Sequence, residues 1–206
     1  ASATAGAAFD FTVTAKDPFN NTPTGYSGTV HFTTSAGNAT LPADSTLTNG
    51  AGTFSATIRT AGNQTLTATD TVTASIAGSS NAIAVSPTAA THIAVSAPSS
   101  ATAGSAFSFT VTAQDQFNNT GTGYAGTVHF TSSDGNATLP ADSTLTNGAG
   151  TFSATLRTAG NRTITATDTV ASTINGTSNT IAVSPAAATH LAVAASPNAT
   201  AGVSFD

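Results

Sequence analysis

Residues 107–112, Phe-Ser-Phe-Thr-Val-Thr, decide the fold, because large apolar residues alternate in this stretch with hydroxyl residues. Successive side chains of a β-strand point to opposite faces, so a period of two predicts a strand with one buried and one exposed face. The same alternation follows at Val128 and Phe130, whose neighbours Thr127 and His129 fall on the other face. No segment shows the 3.6-residue period of an amphipathic helix. The sequence therefore predicts an all-β protein.

The chain repeats itself with a period of 98 residues. The sequence Gly-Thr-Val-His-Phe at 28–32 returns at 126–130. Sliding residues 1–98 onto the next 98 residues needs no gap and leaves 76 positions identical and 22 different. Apolar positions change to residues of similar volume, as where Ile58 becomes Leu156, and a packed core tolerates such changes. A fixed period of this kind indicates tandem copies of one structural unit.

Turn signals separate the alternating runs, for example Leu-Pro-Ala-Asp at 139–142 and Asn-Gly at 147–148. About seven short strands per 98-residue repeat, with threonine-rich outer faces, predict tandem immunoglobulin-like antiparallel β-sandwiches. We expect a first repeat over residues 1–87 that lacks its first strand, a complete second repeat over 88–185, and the start of a third over 186–206.

The composition excludes several functions. Charged residues make up 6% of the chain, where soluble domains carry about 25%. Four basic residues and a formal charge of −5 cannot neutralise a row of phosphates, which excludes nucleic-acid binding. No apolar run approaches the length of about 18 residues that a membrane span needs, so we expect no membrane insertion of this segment. Because there is no cysteine, disulfides, thiolate nucleophiles and thiolate metal sites are excluded as well.

Three stretches of the second repeat resemble a known class. They are Ala-Gln-Asp-Gln-Phe-Asn-Asn at 113–119, Gly-Tyr-Ala-Gly-Thr-Val-His-Phe at 123–130, and the run over 139–168. Together they resemble the bacterial Ig-like tandem repeats of large secreted or surface adhesins, broadly similar to the invasin and intimin Ig-like domains. The resemblance covers essentially the whole chain. It implies a structural spacer or stalk in an extracellular or cell-surface protein of bacteria, whose partners are neighbouring repeats or copies of itself. A cell-surface protein or glycan would be bound through regions outside this sequence.

The chemical groups that could form a site recur once in each repeat, which favours a structural role over a single active site. The histidines are His31, His129, His92 and His190, and they show neither HxH nor HxxxH spacing. The aspartates at predicted turns are Asp17, Asp44, Asp70, Asp115, Asp142 and Asp168. Turn capping explains these aspartates, and a weak calcium site at the repeat junctions is the alternative. We therefore expect no catalytic residue, no metal site and no cofactor, and hence no enzyme.

The two tyrosines, Tyr26 and Tyr124, raise one further hypothesis, a carbohydrate- or protein-binding module. If exposed, they would be aromatic platforms with a polar group. Their Tyr-x-Gly-x-Val alternation instead favours packing in the core or at a sheet edge.

Short connectors that contain a proline join the repeats, at 86–90 and at 184–188. Each connector precedes the sequence Thr-His-Ile/Leu-Ala-Val, which is predicted to form the first strand of the following repeat. The first repeat lacks this strand, and the end of the chain carries a spare copy. Two interpretations stay open: either the chain is a window on a longer end-to-end array, or the spare strand completes the first repeat of another molecule and so builds a filament. The residues predicted for this junction or strand donor are Pro87, His92, Pro185, Thr189, His190, Leu191 and Val193.

Overall fold

The computed structural model describes residues 1–194 and 201, and these residues form twenty β-strands and no helix. The described part of the chain therefore contains no helix that could span a membrane. The first ten strands are β1 (Ser2–Thr4), β2 (Ala8–Thr14), β3 (Thr29–Thr34), β4 (Ala39–Thr40), β5 (Ser45–Thr46), β6 (Ala51–Ile58), β7 (Gly62–Gln64), β8 (Leu66–Asp70), β9 (Ala77–Ser79) and β10 (Ile83–Ser86). The next ten are β11 (His92–Ser96), β12 (Ser100–Thr102), β13 (Ala106–Gln114), β14 (Thr127–Ser132), β15 (Ser143–Thr144), β16 (Ala149–Thr155), β17 (Gly160–Arg162), β18 (Ile164–Asp168), β19 (Asn175–Thr177) and β20 (Ile181–Ser184). The predicted all-β class is confirmed.

Each repeat folds into three small sheets. In the first repeat the strand orders are β1-β10-β7, β2-β6-β4 and β5-β3-β8-β9. In the second repeat they are β12-β20-β17, β11-β13-β16 and β15-β14-β18-β19. There are more strands than the seven or so expected per repeat, because several segments of two or three residues pair at the sheet edges. The tandem Ig-like sandwich architecture is as predicted.

One strand pair in each repeat is parallel, although the sequence analysis expected antiparallel sheets. β1 pairs in parallel with β10, and β12 does so with β20. Pro98, between β11 and β12, cannot donate a ladder hydrogen bond and interrupts the strand. The chain then leaves the sheet of β13 and joins the sheet of β20. The first segment of the repeat thereby contributes to two of its sheets.

Three phenylalanine rings meet in the core of each repeat with nearly the same geometry. Ring centroids are 4.8–5.9 Å apart in the first repeat and 4.8–5.8 Å apart in the second. One pair in each repeat packs edge to face, an arrangement that aromatic quadrupoles favour. The rings are Phe11, Phe32 and Phe54 in the first repeat and Phe109, Phe130 and Phe152 in the second. The two repeats therefore share one core design.

The predicted Asn-Gly turn is present in both repeats. Asn147 and Gly148 have φ angles of 51° and 75°, and a bridge between Thr146 and Ala149 closes the turn. Positive φ at both central residues is what a tight type I′ hairpin requires, and Asn-Gly tolerates it best. This local geometry sets the start of β16.

Candidate repeat junction

The loop that follows β13, residues 115–119, is organised around the carboxylate of Asp115, which is fully buried. This carboxylate accepts hydrogen bonds from the backbone N–H groups of Phe117 and Asn119, both at 2.9 Å, and of Thr88 at 3.0 Å. Burial acts to raise the pKa of Asp115, but the hydrogen bonds, first that from the Asn119 side chain, outweigh it and lower the pKa. Asp115 therefore caps the loop, as predicted for the turn aspartates, and also ties the connector to it.

The same loop contacts the first repeat. The side-chain Nδ2 of Asn119 donates to the carbonyl oxygen of Arg59 at 2.8 Å, and its Oδ1 accepts from the backbone N–H of Ala61, also at 2.8 Å. The ring of Phe117 packs against the apolar cluster of the first repeat. It lies over Gly6, where a β-carbon would be 2.5 Å from the ring. Polar and apolar contacts thus hold the two repeats together.

The equivalent loop of the first repeat, residues 17–21, has the same internal bonds. The backbone N–H groups of Phe19 and Asn21 donate to Asp17 at 2.9 and 2.7 Å. The Phe19 side chain is 84% exposed, because no neighbouring repeat covers it among the described residues. The two loops therefore share their internal hydrogen bonds, although among the described residues only the loop at 115–119 contacts another repeat.

The residues predicted for the junction fall into two groups. Pro87 is half-buried beside Asn119 in a small cleft, and His92 begins β11 opposite Gln114. The remaining five are exposed and lie outside the strands that the structure describes: Pro185, Thr189, His190, Leu191 and Val193. The Leu191 and Val193 side chains are 90% and 91% exposed. Pro87 thus lies between the repeats and His92 within a strand of the second repeat, and the role of all seven residues as a junction or strand donor stays a prediction.

A groove of about 480 Å³ opens along the first repeat between β2 on one side and β8 and β9 on the other. In the second repeat the corresponding space is occupied by β11, which pairs antiparallel with β13. The side chains that line this space are therefore more exposed in the first repeat than in the second. Val111 of β13 is fully buried, whereas its counterpart Val13 is only half-buried. Ile174 is half-buried, whereas its counterpart Ile76 is 44% exposed.

Gly176 allows β11 to pack closely in this space. A β-carbon on Gly176 would overlap the carbonyl group of Ile93, so the two backbones approach as closely as glycine permits. At the equivalent Gly78 of the first repeat there is no atom within 4 Å of the β-carbon position. Among the described residues of the first repeat, no strand occupies this space.

Tyr26 and Tyr124 pack against their own repeats and do not form the exposed aromatic platforms of a binding module. Tyr26 is half-buried, and its hydroxyl donates to the carboxylate of Asp70; Tyr124 and Asp168 repeat this contact. Asp70 also accepts from the backbone N–H of Thr73 at 2.8 Å. The hydrogen bond to Asp70 raises the pKa of Tyr26 to about 12. This arrangement agrees with the predicted packing in the core or at a sheet edge, because each tyrosine packs against the apolar cluster of its own repeat.

The polar faces carry a histidine–aspartate contact that the sequence analysis did not anticipate. His31 Nδ1 lies 2.7 Å from Asp44 Oδ1, and His129 and Asp142 repeat this distance. All four side chains are more than half exposed. Within residues 1–194, no three His, Cys, Asp or Glu side chains converge into a group that could hold a metal ion. The pairs are surface cross-strand contacts of the kind that stabilises sheets modestly.

The sequence analysis missed Phe117 and Asn119, the two residues that bind the first repeat. A signal was present, because a large apolar ring in a polar turn, repeated at Phe19, must be covered or remain exposed. What covers it depends on how the repeats sit together, and no local pattern encodes that.

No protein-family model and no curated protein matches this sequence. Among solved structures, the chain is similar to the D00-D0 domain of intimin, with 14% identity, 88% of this chain and 94% of that chain covered, and a TM-score of 0.45. It is also similar to FdeC, an adhesin of Escherichia coli (17% identity, 89% and 61% covered, TM-score 0.40). A third similar structure is InvD of Yersinia pseudotuberculosis (21% identity, 93% and 58% covered, TM-score 0.39). Intimin is one of the proteins to which the sequence analysis compared this chain, and the similarity to the three structures is one of fold.

Proposed function

We propose that this chain is a spacer of a bacterial extracellular or cell-surface protein, in which tandem Ig-like repeats hold other parts of the protein at a distance. The junction carries this proposal. A short connector alone would let two domains swing, but Asn119 and Phe117 contact the first repeat at separate points. Two such contacts oppose bending, and repeats joined in this way extend in one dimension.

The composition supports the same role. The chain has four basic residues, so trypsin-like proteases find few sites, and it has no Cys or Met for oxidants to attack. The histidines and the turn aspartates named above recur in both repeats, and the most buried carboxylates accept hydrogen bonds that hold loops in place. This use of polar groups supports a structural role without catalysis.

Electron paramagnetic resonance tests the proposal, because the absence of cysteine allows unambiguous labelling. Spin labels at Thr53→Cys and Thr151→Cys occupy equivalent exposed positions in the two repeats. With the labelled chain diluted in unlabelled chain, we expect one narrow distance distribution. The double change Phe117→Ala and Asn119→Ala should broaden it, while the matched change Phe19→Ala and Asn21→Ala should not. A broad distribution in the unchanged protein, or no response to the junction change, would contradict a rigid spacer.

A further inference from the structure

We propose that the second repeat bears tension along the array, and that the parallel pair of β12 and β20 is its mechanical clamp, the ladder that must break before the repeat unfolds under a pull. The inference rests on the spacer function, because repeats joined end to end are pulled through their connectors. It adds that the repeat resists the pull. The connector at 86–90 precedes β11 and β12, and β20 runs directly into the connector at 184–188.

Parallel pairing places the two pulled strand ends at opposite ends of one ladder. Ser100 lies opposite Ala182, and Thr102 lies opposite Ser184. The chain enters the ladder at Ser100 and leaves it after Ser184, so tension slides the strands past each other along their length. All hydrogen bonds of the ladder are then loaded together. An antiparallel pair would put both pulled ends at the same end of the ladder, and its bonds would open one at a time.

Hydrogen bonds extend over the whole length of this ladder. At one end the N–H of Ala182 donates to the carbonyl oxygen of Ser99 at 2.9 Å. At the other end the N–H of Ala103 donates to the carbonyl oxygen of Ser184 at 2.8 Å. The strands therefore cannot slide by one residue without breaking bonds at both ends.

The apolar core covers one face of the clamp. Ile181 and Val183 of β20 are buried in the core of the second repeat, and Ala101 and Ala103 pack against the same cluster. Hydrogen bonds beside such a core are shielded from water that would otherwise replace them, and the low local dielectric strengthens them. The clamp thus lies where its bonds are strongest.

Two further features fit a role under tension. β11 precedes β12 on the same segment and pairs with β13 over five residue pairs, so a pull on the connector is also directed along β11. The first repeat has the same parallel pair, β1 with β10, and the N–H of Ala5 donates to the carbonyl oxygen of Ser86 at 2.8 Å. The arrangement is therefore a property of the repeat.

Single-molecule force spectroscopy tests the clamp, with handles on introduced cysteines, because the chain has none of its own. Ser99→Cys with Ala186→Cys pulls β12 and β20 from opposite ends. Ser99→Cys with Thr180→Cys pulls both strands at the same end, and all three positions are exposed. Forced unfolding reports the barrier, so the first pair of handles should need at least about twofold more force. Equal forces for the two pairs would overturn the proposal.

Ala103→Pro removes one bond of the clamp and keeps the turn that follows β12. The N–H of Ser105 donates to the carbonyl oxygen of Thr102 at 3.0 Å, and Gly104 has a φ of 83°, as in a type II turn, which favours proline before the glycine. The variant should unfold at lower force when the strands are pulled from opposite ends. When they are pulled at the Ser99 end the force should not change, because the lost bond lies at the far end.

Two control variants separate the clamp from general stability. Ala5→Pro makes the same change in the first repeat, outside the pulled segment, and should alter neither force. Asp134→Ala removes hydrogen bonds to Arg157 and Thr158, which lie outside both strands of the clamp, and should lower the free energy of unfolding without lowering the unfolding force. If Ala103→Pro lowered both forces alike, or Asp134→Ala lowered the force as much as Ala103→Pro, the proposal would be overturned.

The test is independent of the spacer proposal. Both pairs of handles lie within the second repeat, so the contacts between the repeats carry no load in this experiment. The spin-label distances report only those contacts. A weak clamp with a narrow distance distribution would overturn the clamp alone, and a strong clamp with a broad distribution would overturn the rigid spacer alone.

Discussion

Asn119 and Arg59 lie in different repeats and are joined by a 2.8 Å hydrogen bond from the side-chain amide of Asn119 to the carbonyl oxygen of Arg59. The other end of the same amide accepts from Ala61, so one side chain satisfies two backbone groups across the junction. Asn119 is itself held by hydrogen bonds to the buried carboxylate of Asp115 at 3.0 and 3.2 Å. A chain with few charges thereby obtains a fixed joint from an amide and a carboxylate.

Asn119→Ala should destabilise the protein by about 1–3 kcal/mol, because it leaves partly buried backbone groups of Arg59 and Ala61 without partners. The matched variant Asn21→Ala removes only the exposed bond to Asp17 and should change the free energy of unfolding by less than about 0.5 kcal/mol. Urea unfolding measures both. Equal effects of the two substitutions would show that the inter-repeat bonds contribute nothing.

Gly176→Ala should displace β11 from the second repeat. A β-carbon there collides with the carbonyl of Ile93, and relief of such overpacking costs about 1–3 kcal/mol. Hydrogen exchange provides the readout: the amides of β11 should lose protection while those of β14 keep theirs. Gly78→Ala is the control, since its surroundings are open and the first repeat should be unaffected. Unchanged protection of β11 in the Gly176→Ala protein would contradict the close approach.

Asp134→Ala should weaken the second repeat by about 1–3 kcal/mol. This buried carboxylate accepts from the backbone N–H groups of Asn136, Arg157 and Thr158 at 3.0, 2.7 and 2.9 Å. The first repeat has Ala36 at this position, so the substitution makes the two repeats alike there. Urea unfolding of Asp134→Ala is the measurement, with Ala36→Asp as the reverse change. If Asp134→Ala left the free energy of unfolding unchanged, the freed N–H groups would have found equivalent partners.

Stability should fall on acidification only below about pH 5. Hydrogen bonds, from Asn21 at Asp17 and from Tyr26 at Asp70, lower the pKa values of these carboxyl groups in the folded state. The unfolded chain, with carboxyl pKa values near about 3.9, then binds more protons as the pH falls, which favours unfolding. Melting temperatures between pH 2 and pH 7 should be flat above about pH 5. A decline between pH 7 and pH 5 would point to other groups.

Stability should also fall at strongly alkaline pH. Because the folded-state pKa of Tyr26 is raised to about 12, the unfolded state loses its proton first, near about pH 10. The stabilisation is thus complete below about pH 10 and is lost as the pH rises towards 12. Absorbance of tyrosinate in native and unfolded protein follows this directly. Titration of both tyrosines at about 10 in the folded protein would contradict the Tyr–Asp bond.

The fold could be predicted from the sequence because its signals are local. The alternation at 107–112 and the Asn-Gly pair at 147–148 act within a few residues, and the structure has a strand and a tight turn there. The junction could not be predicted, since Asn119 and Arg59 are 60 residues apart and meet only when two complete repeats are placed together. The contact between His129 and Asp142 could not be predicted for the same reason, because it depends on the path of a loop between strands.

Small-angle X-ray scattering tests the central claim, a stiff junction between tandem repeats, most directly. The sample is the unchanged chain at low concentration, so that association does not add to the signal. The account predicts an elongated two-domain particle whose radius of gyration clearly exceeds the roughly 17 Å of a compact protein of this length. It further predicts that Phe117→Ala with Asn119→Ala broadens the distribution of distances between the two domains. A compact particle, or scattering that the junction change leaves unaltered, would contradict it.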